Sequence, residues 1–134
     1  MVKNNIKGNI INLNSIYGLL GQDLNVYEKT SIKENMSYSI IKGGLINLTK
    51  QMASYYGQFD LRINNICSGG LKGHVAGKSS VQESQFVKNY EKKVPLKRLG
   101  DPDEIANVIT FIASDASSYI TGSNVVVDGG WTII

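Results

Sequence analysis

The 134-residue chain has a single cysteine, a single histidine and only two prolines. Cys67 alone excludes an internal disulfide framework and fits a reducing compartment. No apolar run approaches the roughly 20 residues that a membrane helix needs. The first eight residues, Met1 to Gly8, are polar and lack the apolar centre of a signal peptide, so a cytoplasmic location is expected. Charge of one sign is scarce as well. The net charge is +3, with Lys and Arg scattered among Asp and Glu, which describes a solvated surface and gives no electrostatic footprint for nucleic acid. There are no internal repeats, low-complexity tracts or linkers, and no metal site is expected. The sequon Asn47-Leu48-Thr49 reads as chance.

What remains is ordinary for one globular domain: 42% hydrophobic and 19% charged residues, with 14 glycines. Strand and helix patterns alternate along it. Residues 9–13 form a short β-prone run ending at Asn14-Ser15. The stretch from Gly18 to Asn35 has little periodicity and is expected to be an ordered loop. A long helix is predicted from about Ser37 to Tyr56, with Ile41, Leu45, Leu48, Met52 and Tyr55 on one buried face. Gly43 and Gly44 inside it each cost roughly 1 kcal/mol in propensity, and close approach of a neighbouring backbone would explain them.

A second strand follows at 61–67, punctuated by Ser68-Gly69-Gly70. A polar segment with some helix occupies about 71–93. Asp101-Pro102-Asp103-Glu104 opens another helix with a capping-box pattern and Pro in the first turn; Ile105, Val108, Ile109 and Ile112 are its buried stripe. The third strand spans 123–128 and closes at Gly129-Gly130. The order β-α-β-α-β predicts an α/β fold with a parallel sheet. Three strands are few for a sheet buried on both faces, so the sheet looks incomplete.

Tyr38 and Lys42, four apart on the long helix, share a face. A nearby ammonium favours a phenolate, and such a tyrosine can exchange a proton with a carbonyl or alcohol. Ser15 lies just beyond the carboxyl end of a parallel strand, where α/β proteins place ligands; as a bland alternative it is a turn serine. Gly69-Gly70 lies beyond the next strand end, where backbone can approach a cofactor closely, or is simply a turn.

Gly8-Asn-Ile-Ile-Asn-Leu-Asn-Ser15-Ile-Tyr-Gly18 followed by Tyr38-Ser-Ile-Ile-Lys42 resembles the Ser…Tyr-x-x-x-Lys signature of the short-chain dehydrogenase/reductase family. Arg62 to Gly70, Pro95 to Ala106, and Ser114 to Gly130 resemble further blocks of that family, in the right order over almost the whole chain. The resemblance implies an NAD(P)-dependent oxidoreductase that interconverts a carbonyl and an alcohol. It makes Ser15, Tyr38 and Lys42 catalytic, and places Tyr38, Lys42, Gly69, Gly70 and Leu71 against the cofactor, NAD or NADP. It also implies a substrate loop over about 72–93; Lys72, His74 and Lys78 there are read as solvent-exposed. Ser68 stands where the family usually has proline, and Gly73 where a threonine often contacts the cofactor. The long gap between Ser15 and Tyr38 resembles a subgroup found in bacterial surface-sugar biosynthesis, which implies a sugar-derived small-molecule substrate.

The family's Gly-rich pyrophosphate turn, G-x-G-x-x-G at a helix N-terminus, has no counterpart in the chain. The expectation is therefore a catalytic half, truncated or completed by a separate N-terminal polypeptide. Alone, it would expose an apolar sheet edge, fold poorly or associate, and have little activity. Family members commonly pack the Tyr-Lys helix and the next helix against subunit mates. A homo-oligomer is implied, and a non-catalytic association fragment is the alternative reading.

Overall fold

The structure is a computed structural model and describes residues 1–73 and 81–134. Among them the major elements are β1 (Gly8–Ser15), α1 (Met36–Tyr56), β2 (Leu61–Ser68), α2 (Ser84–Lys93), α3 (Pro102–Ala113) and β3 (Asn124–Val127). The strands form one parallel sheet in the order β1-β2-β3. An α/β fold is thus observed, with every expected strand and helix present. The stretch between Gly18 and Asn35 contains a 3-10 turn, Leu24–Tyr27, held by the Asp23 carboxylate, which accepts the Asn25 N–H.

Strand alternation sorts the side chains onto two faces. Ile10 pairs with Ile63 and Asn12 with Asn65, and this face packs on α1, where Ala53, Leu61 and Ile63 are buried. Ile66 on the opposite face packs on Ile105 and Ile112 of α3. A third cluster, containing Ile16, Val26, Tyr90, Val94, Leu99 and Trp131, is built from segments that follow the strands and from α2. At the start of α3 the Glu104 carboxylate accepts the Asp101 N–H at 2.8 Å, the reciprocal half of the expected capping box.

The helix α1 keeps part of its expected buried face, with Met52 packed on the core and Leu45 half-buried, and departs from the rest. Ile41, Leu48 and Tyr55 are 65%, 50% and 57% exposed, while Thr49 and Ala53 are buried. Its sheet-facing line therefore runs through Thr49, Ala53 and Tyr56, small or hydrogen-bonding residues near the middle of the contact. The reason is a polar seam in the sheet. Asn12, Asn65 and Asn124 lie side by side across the three strands. Asn12 Nδ2 donates to Thr49 Oγ1 (2.8 Å), Thr49 Oγ1 donates to Asn65 Oδ1 (3.0 Å), and Asn65 Nδ2 donates to Asn124 Oδ1 (2.8 Å). Buried amides must be satisfied, so the helix turns its threonine to the sheet and leaves Ile41, Leu48 and Tyr55 outside, while Met52 packs on the core beside it.

Glycine use on α1 also differs from expectation. A Cβ on Gly44 would meet nothing within 4 Å, and one on Gly43 would reach only ordinary contact with Gly18 O. The residue that permits close approach is Gly18, where a Cβ would stand 2.6 Å from Lys42 O. The turn after β1 can press onto the α1 backbone because residue 18 has no side chain.

β1 is an edge of the sheet, and Leu13 on it is 59% exposed, which matches the incomplete sheet expected. No helix among the described residues is long and apolar enough to cross a membrane.

Candidate active site

Beyond the carboxyl ends of β1 and β2 lies a cleft of about 370 Å³, within the range of small-molecule sites. Ser15, Tyr38, Gly69 and Gly70 all line it. β1 delivers Ser15 as its last residue, and the first turn of α1 delivers Tyr38. That turn is fixed by Asn35, whose side chain accepts the Tyr38 N–H at 3.3 Å.

Ser15 is buried, and its Oγ accepts the Tyr17 N–H at 3.1 Å, leaving its own hydrogen free. The Tyr38 hydroxyl is 40% exposed as a residue and has no hydrogen-bond partner among the described residues. Lys42 does not line the cleft. Its ammonium lies 5.6 Å from the centre of the Tyr38 ring and donates to Leu13 O at 3.1 Å. The structure thus joins Ser15, Tyr38 and Lys42 where β1 ends on α1.

Gly69 and Gly70 form part of the wall, and their lack of side chains serves Tyr90. A Cβ on Gly70 would stand 2.7 Å from Tyr90 Cζ, and the Gly70 N–H donates to the Tyr90 hydroxyl. Leu71 turns away from the cleft and lines a smaller cavity of about 110 Å³ with Arg98 and Glu104. Its carbonyl accepts Gln82 Nε2 at 2.7 Å. Of the three loop residues read as exposed, Lys72 is exposed and pairs with Asp101 at 3.1 Å. His74 and Lys78 lie outside the described residues.

Sequence reasoning missed most of the other walls. Tyr17, Tyr27, Phe86 and Tyr90 supply aromatic surface, and Gln22, Lys33 and Gln82 supply polar groups. Aromatics in a nominal loop and a helix of the substrate segment carry no spacing signal that could have singled them out. Burial pushes the Tyr90 hydroxyl up to about 12 despite the Gly70 N–H, and pushes Tyr17 and Tyr27 up as well. These phenols are therefore neutral hydrogen-bonding groups at ordinary pH. Cys67 is buried and its thiol is also raised by burial, which makes it structural. Among the described residues no cluster of metal-ligating side chains occurs.

The ring end of a nicotinamide nucleotide fits what is here. The cleft has apolar walls, an unpartnered phenol at its edge, and a lysine next to that phenol with donors to spare.

Comparison with known proteins bears on the whole chain. Residues 1–132 match the family model described as enoyl-(acyl carrier protein) reductase. Post-translational flagellin modification protein A of Campylobacter coli is 34% identical over 92% of this chain and 46% of its own. Glucose 1-dehydrogenase 2 of Bacillus subtilis is 33% identical over 99% of this chain and 47% of its own. The crystal structure of a short-chain dehydrogenase from Leptospira borgpetersenii with bound NAD+ superposes with a TM-score of 0.82 at 35% identity, over 97% of this chain and 46% of that one. The chain therefore spans about half the length of the relatives it matches. Sheet order, motif order and these matches agree, and the chain belongs to the short-chain dehydrogenase/reductase family.

Proposed function

We propose that the chain carries the acid–base end of a nicotinamide-dependent oxidoreductase that interconverts a carbonyl and an alcohol. The observation that supports this best is the pairing of an unpartnered Tyr38 hydroxyl with the Ser15 hydroxyl in one cleft, with the Lys42 ammonium beside the Tyr38 ring. A nicotinamide cofactor, NAD or NADP, held by Tyr38, Lys42 and the Gly69–Gly70 backbone would supply or accept the hydride; the solved relative with bound NAD+ supports such a cofactor. Ser15 donates its free hydrogen to the substrate oxygen and holds it next to Tyr38. Tyr38 gives its proton to that oxygen as the carbonyl is reduced and takes it back in the reverse direction. Lys42 has one proton on Leu13 O and others for a ribose hydroxyl, and its ammonium stands 5.6 Å from the centre of the Tyr38 ring. The Gly69–Gly70 backbone gives the ring a flat surface without side chains. The glucose dehydrogenase relative supports a sugar-derived substrate.

The test is calorimetric titration with NADH and NADPH, followed by turnover of the wild type and Tyr38→Phe. Loss of the phenol should cut turnover by at least about 100-fold, the usual worth of a positioned acid or base. Equal turnover by the two proteins refutes the role of Tyr38.

A second reading concerns α1 as a contact surface. Ile40, Ile41, Leu48 and Tyr55 are all at least half exposed, an apolar surface that favours association with a second copy of the chain. Sedimentation of the wild type and an Ile40→Glu variant tests it; a monomeric wild type at micromolar concentration rejects it.

A further inference from the structure

The cleft has a charge as well as a shape. Lys33 is the only ionisable side chain other than tyrosine among the described residues that line it, and no Asp or Glu does so. Among those residues Lys33 has no ion pair or hydrogen bond, and it is exposed. Lys42 and Lys72, by contrast, are engaged with Leu13 O and Asp101.

The backbone that carries Lys33 is pinned on both sides. Upstream, Glu83 at the start of α2 accepts the Ser31 N–H at 3.0 Å, and Thr30 Oγ1 donates to Tyr27 O at 2.8 Å. Downstream, Gln22 holds Asn35 from both ends, donating to its carbonyl at 3.1 Å and accepting its N–H at 3.3 Å. A fixed backbone lowers the ordering cost of binding, while the ammonium itself is unspent. The amide nitrogens of Gln22 and Gln82 are committed to Asn35 and Leu71 O, so Lys33 is the one cationic partner that the described lining offers an anion.

We infer that Lys33 is the anion-recognising residue of this cleft, and that the substrate is a small hydroxy or oxo compound bearing a compact anionic group, a carboxylate or a phosphate monoester, which Lys33 pairs while the reacting oxygen meets Ser15 and Tyr38. The inference rests on the reading of the cleft as a substrate site and names the substrate's chemical class. A carboxylate and a phosphate present the same chemistry to an ammonium; a neutral polyol does not. An ammonium is a point charge with three donors and demands no bidentate geometry, so both anions are admitted.

The experiment is an NMR titration of the isotope-labelled chain, with and without saturating NADH, using three probes on one carbon frame: glycerol, glycerate and glycerol 3-phosphate. The wild type should bind at least one charged probe about fivefold or more tightly than glycerol, as expected for an ion pair worth about 1 kcal/mol, with shifts at Lys33 and Ser15. Lys33→Gln should abolish that preference without unfolding, since the side chain is exposed, and added salt should weaken it. The stronger charged probe identifies carboxylate or phosphate as the preferred group. Tyr38→Phe should keep the charge preference, which separates failure of this inference from failure of the acid–base reading. Equal binding of glycerol, no binding of either charged probe, or a preference that survives Lys33→Gln overturns it.

Discussion

Replacing Thr49 by Val is the sharpest probe of how α1 is held on the sheet. The two side chains have nearly the same shape, so the change removes a hydroxyl and leaves the packing in place. In the wild type that hydroxyl accepts from Asn12 and donates to Asn65, both within 3.0 Å, and Thr49 and Asn65 are fully buried. Each hydrogen bond is worth about 1 kcal/mol net, and a buried acceptor left without a donor costs about 1–3 kcal/mol. Asn65 Oδ1 becomes such an acceptor. Setting a small gain from the extra methyl against these, the variant should lose about 2–3 kcal/mol. Domains of this size unfold from a margin of about 5–15 kcal/mol, and each kcal/mol moves Tm by about 3–5 °C, so the midpoint should fall by about 6–15 °C. Urea unfolding followed by the fluorescence of the buried Trp131 measures the loss directly. Thr110→Val is the control: that hydroxyl back-bonds to Ala106 O on an exposed helix face and should cost less than about 0.5 kcal/mol. A Thr49→Val loss as small as the control's would show that the polar seam does not hold the helix.

Two further perturbations read other parts of the same frame. Gly18→Ala places a Cβ 2.6 Å from Lys42 O and should destabilise by about 1–3 kcal/mol through overpacking, whereas Gly44→Ala, with open space around it, should stabilise by up to about 1 kcal/mol; thermal unfolding of the pair checks the contrast, and equal effects refute it. Tyr90 ionises at about 12 in the fold against 10 in an unfolded chain, so its neutral form favours folding fully below pH 10, and that contribution is lost as pH rises from 10 to 12, by about 2.7 kcal/mol at 1.36 kcal/mol per unit. Tyr90→Phe should remove that part of the alkaline loss, visible as a flatter stability curve from pH 10 to 12; Tyr17, raised by burial and in smaller part by Tyr90 itself, still titrates in the variant and retains part of the loss.

The strands were legible because residues 9–13 and 61–67 are short β-prone stretches, isoleucines among polar residues, that end at the turn signals Asn14-Ser15 and Ser68-Gly69-Gly70. The buried face of α1 was legible only in part, and the reason is chemical. Periodicity counts apolar residues, but the α1 contact is organised by Thr49 on three asparagines that only the strand register brings into line. Nothing in the spacing of Asn12, Asn65 and Asn124 along the chain announces that they are neighbours. The same limit applies to the site. Ser15, Tyr38 and Lys42 could be named because they stand in the order and spacing of the short-chain dehydrogenase/reductase signature; four-residue spacing on a helix and a serine at a strand end are weak signals without it. Lys33, Phe86 and Tyr90 come together only through the way the 18–35 segment and α2 fold over the strand ends.

Residue 42 shows how the frame and the site become one object. Asn14 Nδ2 donates to its carbonyl at 3.2 Å, Gly18 packs on that same carbonyl, and the Lys42 ammonium reaches back to Leu13 O at 3.1 Å. Asn14 Oδ1 also accepts the Ser15 N–H at 2.9 Å. The end of β1 is therefore tied to the second turn of α1 through both the backbone and the side chain of one lysine, one turn beyond Tyr38. A lysine four residues after the tyrosine is usually read for its charge alone. Here its carbonyl and its ammonium also fix the spacing between a strand and a helix, so a Lys42 substitution perturbs geometry along with electrostatics. A Lys42 variant cannot by itself separate the two, whereas Tyr38→Phe removes the hydroxyl and leaves every one of these contacts in place.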